Sequence, residues 1–267
     1  MGEIAGLYYE VHGPAEAPPL ILSAGLGGSA AYWAPNVDAL AADHRVILYD
    51  HRGTGRSDRD LAFNLSVDDM AGDVLALMDG LGLESATLAG HAAGAAIGLA
   101  LACRAPERLD RLVLVNGFAR PDPHFIRCFE TRLALLRDSG VRAFLHAQPI
   151  FLYPARWISE HGERLAAEEA HQLEHFQGAP NIEARIAALL AFDVDSRLAE
   201  IDTPALIVAA EDDMLVPACC SERLAQAMPC ATLAAMTGGH ACNVTESVRF
   251  NHILRDWLGR ARLKGAA

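Results

Sequence analysis

Short apolar runs recur along the chain, and Gly, Pro or Asp residues bound them. The runs occupy residues 20–24, 46–49, 86–88, 112–115, 205–209 and, more weakly, 231–236. Because they are continuous rather than alternating, they predict strands buried on both faces, as in a mostly parallel sheet. Helical patterns separate them: Ser66 followed by Asp69 predicts a capping box, after which Met70, Val74 and Leu77 share one face. The alternation predicts a doubly wound α/β sheet.

The alternation breaks between about residues 118 and 200. Helices are predicted here over residues 132–145, 164–176 and 182–190, and Pro149, Pro154 and Pro180 punctuate the segment. The strand signal resumes after Pro204. We therefore expect a core of residues 1–118 and 200–267, into which residues 119–199 are inserted as a helical cap, or lid, after a core strand.

Composition and charge exclude several classes of protein. The chain has 267 residues, of which 52% are hydrophobic, so it has enough apolar material for a buried core and is not disordered. Its net charge is −12, and its 22 Lys and Arg residues form no cluster. Nucleic-acid affinity depends largely on basic residues that neutralise phosphates, so a DNA or RNA partner is excluded.

Targeting signals and cysteine spacing bear on the compartment. No stretch approaches about 18 uninterrupted apolar residues, and the segment from Met1 to Glu10 has no apolar signal-peptide core. The six cysteines include no CxxC pair and are expected to be reduced thiols. We therefore expect a cytoplasmic protein, a monomer or homodimer, that takes a small-molecule substrate and has no membrane partner.

The most informative segment runs from Gly90 to Gly94, where an apolar strand meets a helix of small residues. Glycines two positions before and after a central residue let a strand turn sharply into a helix and lift that residue above the sheet edge. The frame is G-x-S-x-G, but Ala92 occupies the position of the nucleophilic serine. An alanine cannot attack a substrate, so this is a degenerate nucleophile position.

An acid and a histidine follow this turn in the order that nucleophile elbows usually have. Asp213 comes after an apolar strand, and His240 lies in a glycine loop behind the last weak strand. We expect Asp213 to fix the tautomer of His240 and to support its cationic form, while His240 exchanges protons with the reactant. Each residue alone has an ordinary alternative, a solvated Asp or a loop His. Their joint occurrence in this order favours catalysis.

Two further groups complete the candidate site. The glycine turn after the first long strand can aim the backbone amide of Leu26 toward the elbow, where the amide of Ala93 would join it in an oxyanion hole. The cap is expected to supply pocket walls, although ordinary packing is the commoner role for each candidate. These candidates are Gln148, Phe151, Tyr153 and Trp157.

Two motifs suggest other chemistry. The segment from Gly25 to Ala30 satisfies G-x-G-x-x-A, with Asp50 downstream for a ribose hydroxyl, but Pro35 interrupts the helix that a dinucleotide site needs. We prefer a structural loop that Asp50 and Arg52 brace. The segment from His171 to His175 matches H-x-x-E-H, but no persuasive third zinc ligand follows. We expect neither a cofactor nor a metal.

The chain resembles α/β-hydrolases throughout, and within them the RutD family of carbamate or aminoacrylate hydrolases in bacterial pyrimidine utilisation. The matching stretches, in core, cap and terminal regions, are residues 25–29, 32–33, 49–50, 52–55, 90–92, 147–149, 151–154, 175–178 and 238–245. The resemblance implies that alanine is native at position 92 and that the enzyme acts on carbon–nitrogen bonds other than peptide bonds.

Carbamate and aminoacrylate are both labile, so an acid–base group without a nucleophile suits either one. Two other interpretations remain open. The missing serine is also expected of a catalytically retired hydrolase that binds a small ligand or acts as a scaffold. It is also expected, as a lesser alternative, of an esterase that carries a Ser-to-Ala substitution. The observation that discriminates between an active and a retired enzyme is whether His240 and Asp213 lie within hydrogen-bond reach beneath an enclosed pocket.

Overall fold

One sheet of eight strands forms the centre of the computed structural model, which describes residues 1–62 and 64–264, with side chains to residue 259. In chain order the strands are β1 (Gly2–Ile4), β2 (Leu7–His12), β3 (Pro19–Ser23), β4 (Arg45–Tyr49), β5 (Ala86–His91), β6 (Leu109–Val115), β7 (Ala205–Ala210) and β8 (Ala231–Met236). Their order across the sheet is β1-β2-β4-β3-β5-β6-β7-β8. All six apolar runs are strands, which confirms the predicted sheet.

Strands β3 to β8 are parallel, whereas β1 and β2 form an antiparallel hairpin that pairs with β4. The sequence analysis missed this hairpin because five of the six residues of β2 are only partly buried and form no continuous apolar run. Two predicted strands are longer than their apolar runs. β5 extends to His91, and β6 begins at Leu109.

Helices cover both faces of the sheet. In chain order they are α1 (Ala34–Ala41), α2 (Val67–Gly80), α3 (Ala93–Arg104), α4 (Pro123–Ala134), α5 (Gly140–Leu152), α6 (Ala155–Glu160), α7 (Gly162–Glu174), α8 (Ala179–Ala191), α9 (Ala218–Ala227), α10 (Cys242–Thr245) and α11 (Ser247–Lys264). The predicted capping box of α2 is present: Ser66 Oγ accepts from the Asp69 amide at 3.1 Å, and the Asp69 carboxylate accepts from the Ser66 amide at 2.9 Å.

Alternate residues of the central strands belong to two separate cores, as expected for a sheet buried on both faces. On β6, Leu112 and Leu114 pack with residues of α2 and α3, whereas Val113 and Val115 pack with residues of α1 and α11. Because β5, β6 and β7 are parallel neighbours in the sheet, their carboxyl ends lie side by side. This is the edge at which parallel sheets place their functional loops.

Residues 123–200 form five α-helices, with a π-helical turn at Leu135–Ser139 and a 3₁₀ turn at Asp195–Glu200. The predicted continuous helix over residues 132–145 is wrong. The π-turn and Gly140, whose φ is +84°, separate α4 from α5. Pro149 lies within α5 rather than ending it, and the chain leaves the helix at Tyr153 and Pro154 before α6 begins. Within the described part of the chain, no helix is both long enough and apolar enough to cross a membrane.

Candidate active site

The turn between β5 and α3 has the backbone of a nucleophile elbow. Ala92 adopts φ +49° and ψ −101°, a conformation that alanine rarely takes. Glycine is required on both sides, because a β-carbon at Gly90 would lie 2.1 Å from the Gly94 carbonyl oxygen, and one at Gly94 would lie 2.2 Å from that of Ser23. The amide of Ala92 donates to Val115 at the end of β6, 2.9 Å away, which ties the elbow to the sheet.

Asp213 and His240 meet at the same edge of the sheet. Nδ1 of His240 donates to Oδ2 of Asp213 at 2.7 Å, and both side chains are almost completely buried. The other carboxylate oxygen of Asp213 accepts from the amides of Leu215 and Val216 at 2.7 and 2.9 Å. The carboxylate is therefore fixed on both oxygens. In the neutral imidazole, Nε2 then carries the lone pair and is available for proton transfer.

Residues that the sequence analysis did not select hold the His240 loop in place. The neighbouring carboxylate, Asp212, accepts from the amides of Gly238 and Gly239, both at 2.9 Å. Nδ2 of Asn116 donates to the His240 carbonyl at 2.8 Å, and its Oδ1 accepts from the Ala210 amide at 2.8 Å. Asn116 thus connects the ends of β6 and β7 to the histidine loop. The sequence signal was available, since Asn116 directly follows β6.

His91 forms a second link to the same loop. Its Nε2 donates to the His240 carbonyl at 2.7 Å, and its ring lies 4.6 Å from the His240 ring, centroid to centroid. Burial, and then the nearby His240, hold the pKa of His91 well below its usual value, so it is neutral at neutral pH. Tyr32 stacks on His91 at 4.8 Å and donates its hydroxyl to Asn243. His91 and Tyr32 therefore support the histidine loop without supplying a charge.

The cap touches the histidine loop through the end of α5. The amide of Ala241 donates to the Leu152 carbonyl at 3.0 Å. Two of the pocket candidates lie just after Leu152: the ring of Tyr153 packs at a tilt against that of Trp157, with the ring centroids 4.4 Å apart. Burial raises the pKa of Tyr153 to about 12, so its phenol stays protonated.

The other two pocket candidates surround a buried arginine of α4. Oε1 of Gln148 accepts from Arg132, and the Phe151 ring lies 5.7 Å from its guanidinium carbon. Gln148 and Tyr153 also line a small cavity between α5 and α7, together with Leu145, Leu152 and Glu168. Direct contact of Gln148, Phe151, Tyr153 and Trp157 with substrate stays a prediction.

The dinucleotide motif is used for another purpose. Asp50 is 1% exposed, and its carboxylate accepts from the Ala30 amide at 2.7 Å and from Arg56 Nε at 2.8 Å. Arg52 donates to Asp73 at 2.9 Å. Asp50 and Arg52 therefore brace the loops after β3 and β4, as we preferred on the sequence alone. The carboxylate of Asp50 is engaged with the protein rather than open to a ribose.

The H-x-x-E-H motif lies at the exposed C-terminal end of α7, with His175 directly after the last helical residue. The rings of His171 and His175 stack at 4.3 Å, and Nδ1 of His175 bonds the His171 carbonyl. Among the residues that the structure describes, the three ligand-type side chains that converge are elsewhere, at Asp122, Cys219 and Cys220, within 4.8 Å of one another. The motif residues therefore form part of an exposed helix end.

Comparisons with known proteins agree with the fold. A family model described as the alpha/beta hydrolase fold matches residues 18–146. A protein of Caulobacter sp. (strain K31) named "Putative carbamate hydrolase RutD" is 54% identical over 96% of this chain and 97% of its own length. A protein of the same name from Agrobacterium fabrum is 51% identical over 94% and 98% of the two chains.

The fold also matches a solved structure. The crystal structure of the enol-lactonase from Burkholderia xenovorans LB400 superposes with a TM-score of 0.87 at 28% identity, covering 96% of this chain and 98% of that one. The sheet, the helices that cover it and the predicted fold class are confirmed.

Proposed function

Because the chain belongs to the RutD family of α/β-hydrolases, we propose that it breaks down a small labile carbamate or aminoacrylate anion by acid–base catalysis at His240. The observation that carries the proposal is the 2.7 Å hydrogen bond between His240 and Asp213 beside an elbow that has no nucleophile. A protein that only binds a ligand has no evident need for this buried pair. Its retention argues against a retired enzyme.

Both substrates need a proton at a defined atom. With carbamate, protonated His240 gives a proton to the nitrogen, the carbon–nitrogen bond breaks with its electron pair going to the nitrogen, and ammonia and carbon dioxide leave. With aminoacrylate, the proton goes to the enamine carbon β to the nitrogen, water then adds to the resulting iminium carbon, and ammonia leaves to give a carbonyl product. In each case Asp213 stabilises the cationic form of His240 and keeps Nε2 as the reacting nitrogen.

The absence of a serine is compatible with the rate that such a reaction requires. Serine hydrolases that lose one triad member keep roughly 10³ to 10⁴ of rate enhancement from the oxyanion site and binding. This corresponds to about 4 to 5.5 kcal/mol of barrier lowering. A labile substrate needs no more than this, whereas an ester or amide that depends on an acyl-enzyme should be processed poorly.

The amides of Leu26 and Ala93 are the proposed anion donors. Ala93 is the first residue of α3, where helix amides are free to bind an anion. Ala92 is 7% exposed, and the missing hydroxyl leaves space that a water or a carboxylate oxygen could use. A negative substrate atom at this position would lie between the amides and His240.

The test is the decay of carbamate and of aminoacrylate, followed by chromatography and NMR with and without the protein. We expect His240→Ala to remove most of the enzymatic acceleration and Asp213→Asn to reduce it, because the asparagine favours the wrong imidazole tautomer. His252→Ala, a change at an exposed position on α11, is the matched control and should retain full activity. An unchanged rate in His240→Ala would remove this residue from the mechanism.

The esterase interpretation is tested at the elbow itself. Ala92→Ser restores the hydroxyl of the G-x-S-x-G frame beside His240. If the protein is a Ser-to-Ala form of an ordinary esterase, this variant should hydrolyse an activated ester with a burst and a steady turnover. We expect little ester turnover and no gain in carbamate or aminoacrylate decay.

A further inference from the structure

Arg185, on α8 of the cap segment, is a buried cation with neutral acceptors. It is 1% exposed, and its hydrogen bonds go to three backbone carbonyls and one imidazole. Burial lowers the pKa of Arg185 to about 10, so the guanidinium is still positive at neutral pH. Burying a charge in this way is unfavourable unless its hydrogen bonds are well satisfied. The positions of the three carbonyls identify the backbone segment on which the charge of Arg185 acts.

Two of the three carbonyls flank Leu26. Nε of Arg185 donates to the Leu26 carbonyl at 3.0 Å, and one terminal nitrogen donates to the Gly25 carbonyl at 3.4 Å. The Gly25 carbonyl belongs to the same peptide unit as the Leu26 N–H. That carbonyl also accepts from the Gly28 amide at 3.0 Å, which closes the turn. One guanidinium therefore contacts the peptide planes on both sides of Leu26, more closely at the Leu26 carbonyl than at that of Gly25.

A cation at the carbonyl end of a peptide draws electron density toward the oxygen and makes the N–H at the other end a stronger donor. Hydrogen bonds to a charged group are shorter and about twice as strong as neutral ones, and linked bonds polarise one another. The N–H affected here is the proposed oxyanion donor. Arg185 can thus act on an anion in the site without touching it.

The imidazole partner, His51, orients the guanidinium. Its tautomer also excludes a role for Ser23 and His51 as a nucleophile and its base. The same terminal nitrogen of Arg185 donates to Nδ1 of His51 at 2.8 Å, so the proton of the neutral imidazole is on Nε2, which lies 3.1 Å from Ser23 Oγ. His51 therefore donates to Ser23 instead of accepting its proton. The buried Ser23–His51 pair is not a displaced nucleophile and base, and its role is to hold Arg185.

We propose that Arg185 is a positioning residue for the oxyanion hole: from the cap, it fixes and polarises the Gly25–Leu26 peptide so that the Leu26 N–H binds the negative oxygens of substrate and transition state. This inference rests on the proposed function for its kinetic consequence, but its structural part can be measured without any turnover. It also gives the cap a direct part in the chemistry of the core.

The direct test observes the Leu26 amide by NMR. Protein labelled with carbonyl-¹³C glycine and ¹⁵N leucine gives a correlated signal for each Gly-Leu pair, and the sequence has five, at residues 6–7, 25–26, 80–81, 82–83 and 98–99. In Arg185→Met we expect the Leu26 amide proton to shift upfield, as its polarisation is lost, with the other four signals nearly unmoved. A static Leu26 signal would overturn the proposal.

Arg132→Met is the matched control. Arg132 is also a buried cap arginine, 3% exposed, with a neutral hydrogen-bond partner, but it bonds Gln148 rather than the Leu26 turn. It should lower stability to a comparable degree and leave the Leu26 signal in place. Arg185→Lys keeps the charge but cannot span both carbonyls, and it should give an intermediate shift. It also keeps the test valid if Arg185→Met folds poorly.

Formate serves as the anion probe for binding. In the unaltered protein, titration with formate should move the Leu26 signal, and in Arg185→Met the affinity should fall. If formate leaves the Leu26 signal of the unaltered protein unmoved, this amide is not an anion donor and the inference fails. The result does not depend on whether carbamate or aminoacrylate is turned over, so it is separate from a failure of the proposed function.

The kinetic consequence is a loss in kcat rather than in KM. Misplacing or removing one oxyanion donor lowers kcat by roughly 10²- to 10³-fold, and a donor that is only less well polarised and oriented should lose roughly tenfold or more. Arg185→Lys should recover part of this loss. An unchanged kcat in a folded Arg185→Met protein would overturn the inference.

Discussion

At the residue scale, Ala92 shows that the elbow is a property of the backbone rather than of the nucleophile. Its φ of +49° persists although no hydroxyl has to be presented, because Gly90 and Gly94 pack too tightly to allow another path. Residues held in sparsely populated backbone regions cost about 1–3 kcal/mol and persist only where the surroundings impose them. The chain therefore keeps the strain of a hydrolase elbow without its serine.

This strain leads to a prediction for stability. Ala92→Gly should leave the free energy of unfolding unchanged or raise it by up to about 1 kcal/mol, because glycine adopts a positive φ without a steric penalty. The measurement is urea unfolding of both proteins. Ala96→Gly, inside α3, is the control and should lower stability by about 1 kcal/mol, as glycine does in a helix interior. If Ala92→Gly and Ala96→Gly lowered the free energy of unfolding equally, the backbone of Ala92 would not be strained.

Residues that have a fixed position relative to a strand could be predicted from the sequence. The glycines of the elbow, the acid after β7 and the histidine in the last glycine loop each have a fixed place relative to a strand, and the structure brings Asp213 and His240 together. The role of Arg185 could not be predicted, since its partners lie 133 to 160 positions away in the chain and most of them are backbone carbonyls, which every residue has.

At the element scale, burial determined which strands the sequence could predict. The strands buried on both faces were found, whereas the β1–β2 hairpin, at the edge and half exposed, was missed. In the cap, helices were expected, but their bounds were not. The π-turn before Gly140 depends on how α4 and α5 pack, which local propensity does not determine.

The capping box of α2 gives a prediction at this scale. Ser66→Ala should lower the free energy of unfolding by about 1 kcal/mol, because the Asp69 amide loses its acceptor. Chemical denaturation measures the change. In an Asp69→Ala background the same substitution should cost less, since the two side chains act as one reciprocal unit. Full additivity of the two losses would indicate that they act independently.

At the scale of the whole molecule, two neutral histidines lie within the folded structure. Burial holds the pKa values of His51 and His91 well below the usual value, with Arg185 and His240 adding to the effect. In the unfolded chain, a histidine takes up a proton near pH 6.5. As pH falls below this value, the unfolded state binds protons that the folded state does not, so acid favours unfolding.

We therefore expect the free energy of unfolding to fall between about pH 6.5 and about pH 5.5, by up to about 1.4 kcal/mol per pH unit for each histidine. His91→Gln and His51→Gln should each flatten this slope, whatever they do to stability at neutral pH. Parallel slopes in the unaltered protein and both variants would contradict buried neutral imidazoles.

The alanine at the elbow also affects how the protein can be detected. Fluorophosphonate and sulfonyl fluoride reagents label hydrolases by forming a covalent bond with an activated serine, and Ala92 offers no such oxygen. The other candidate, Ser23, lies beside an imidazole that donates to it. A proteome survey with these reagents would pass over this enzyme even in cells that contain it abundantly.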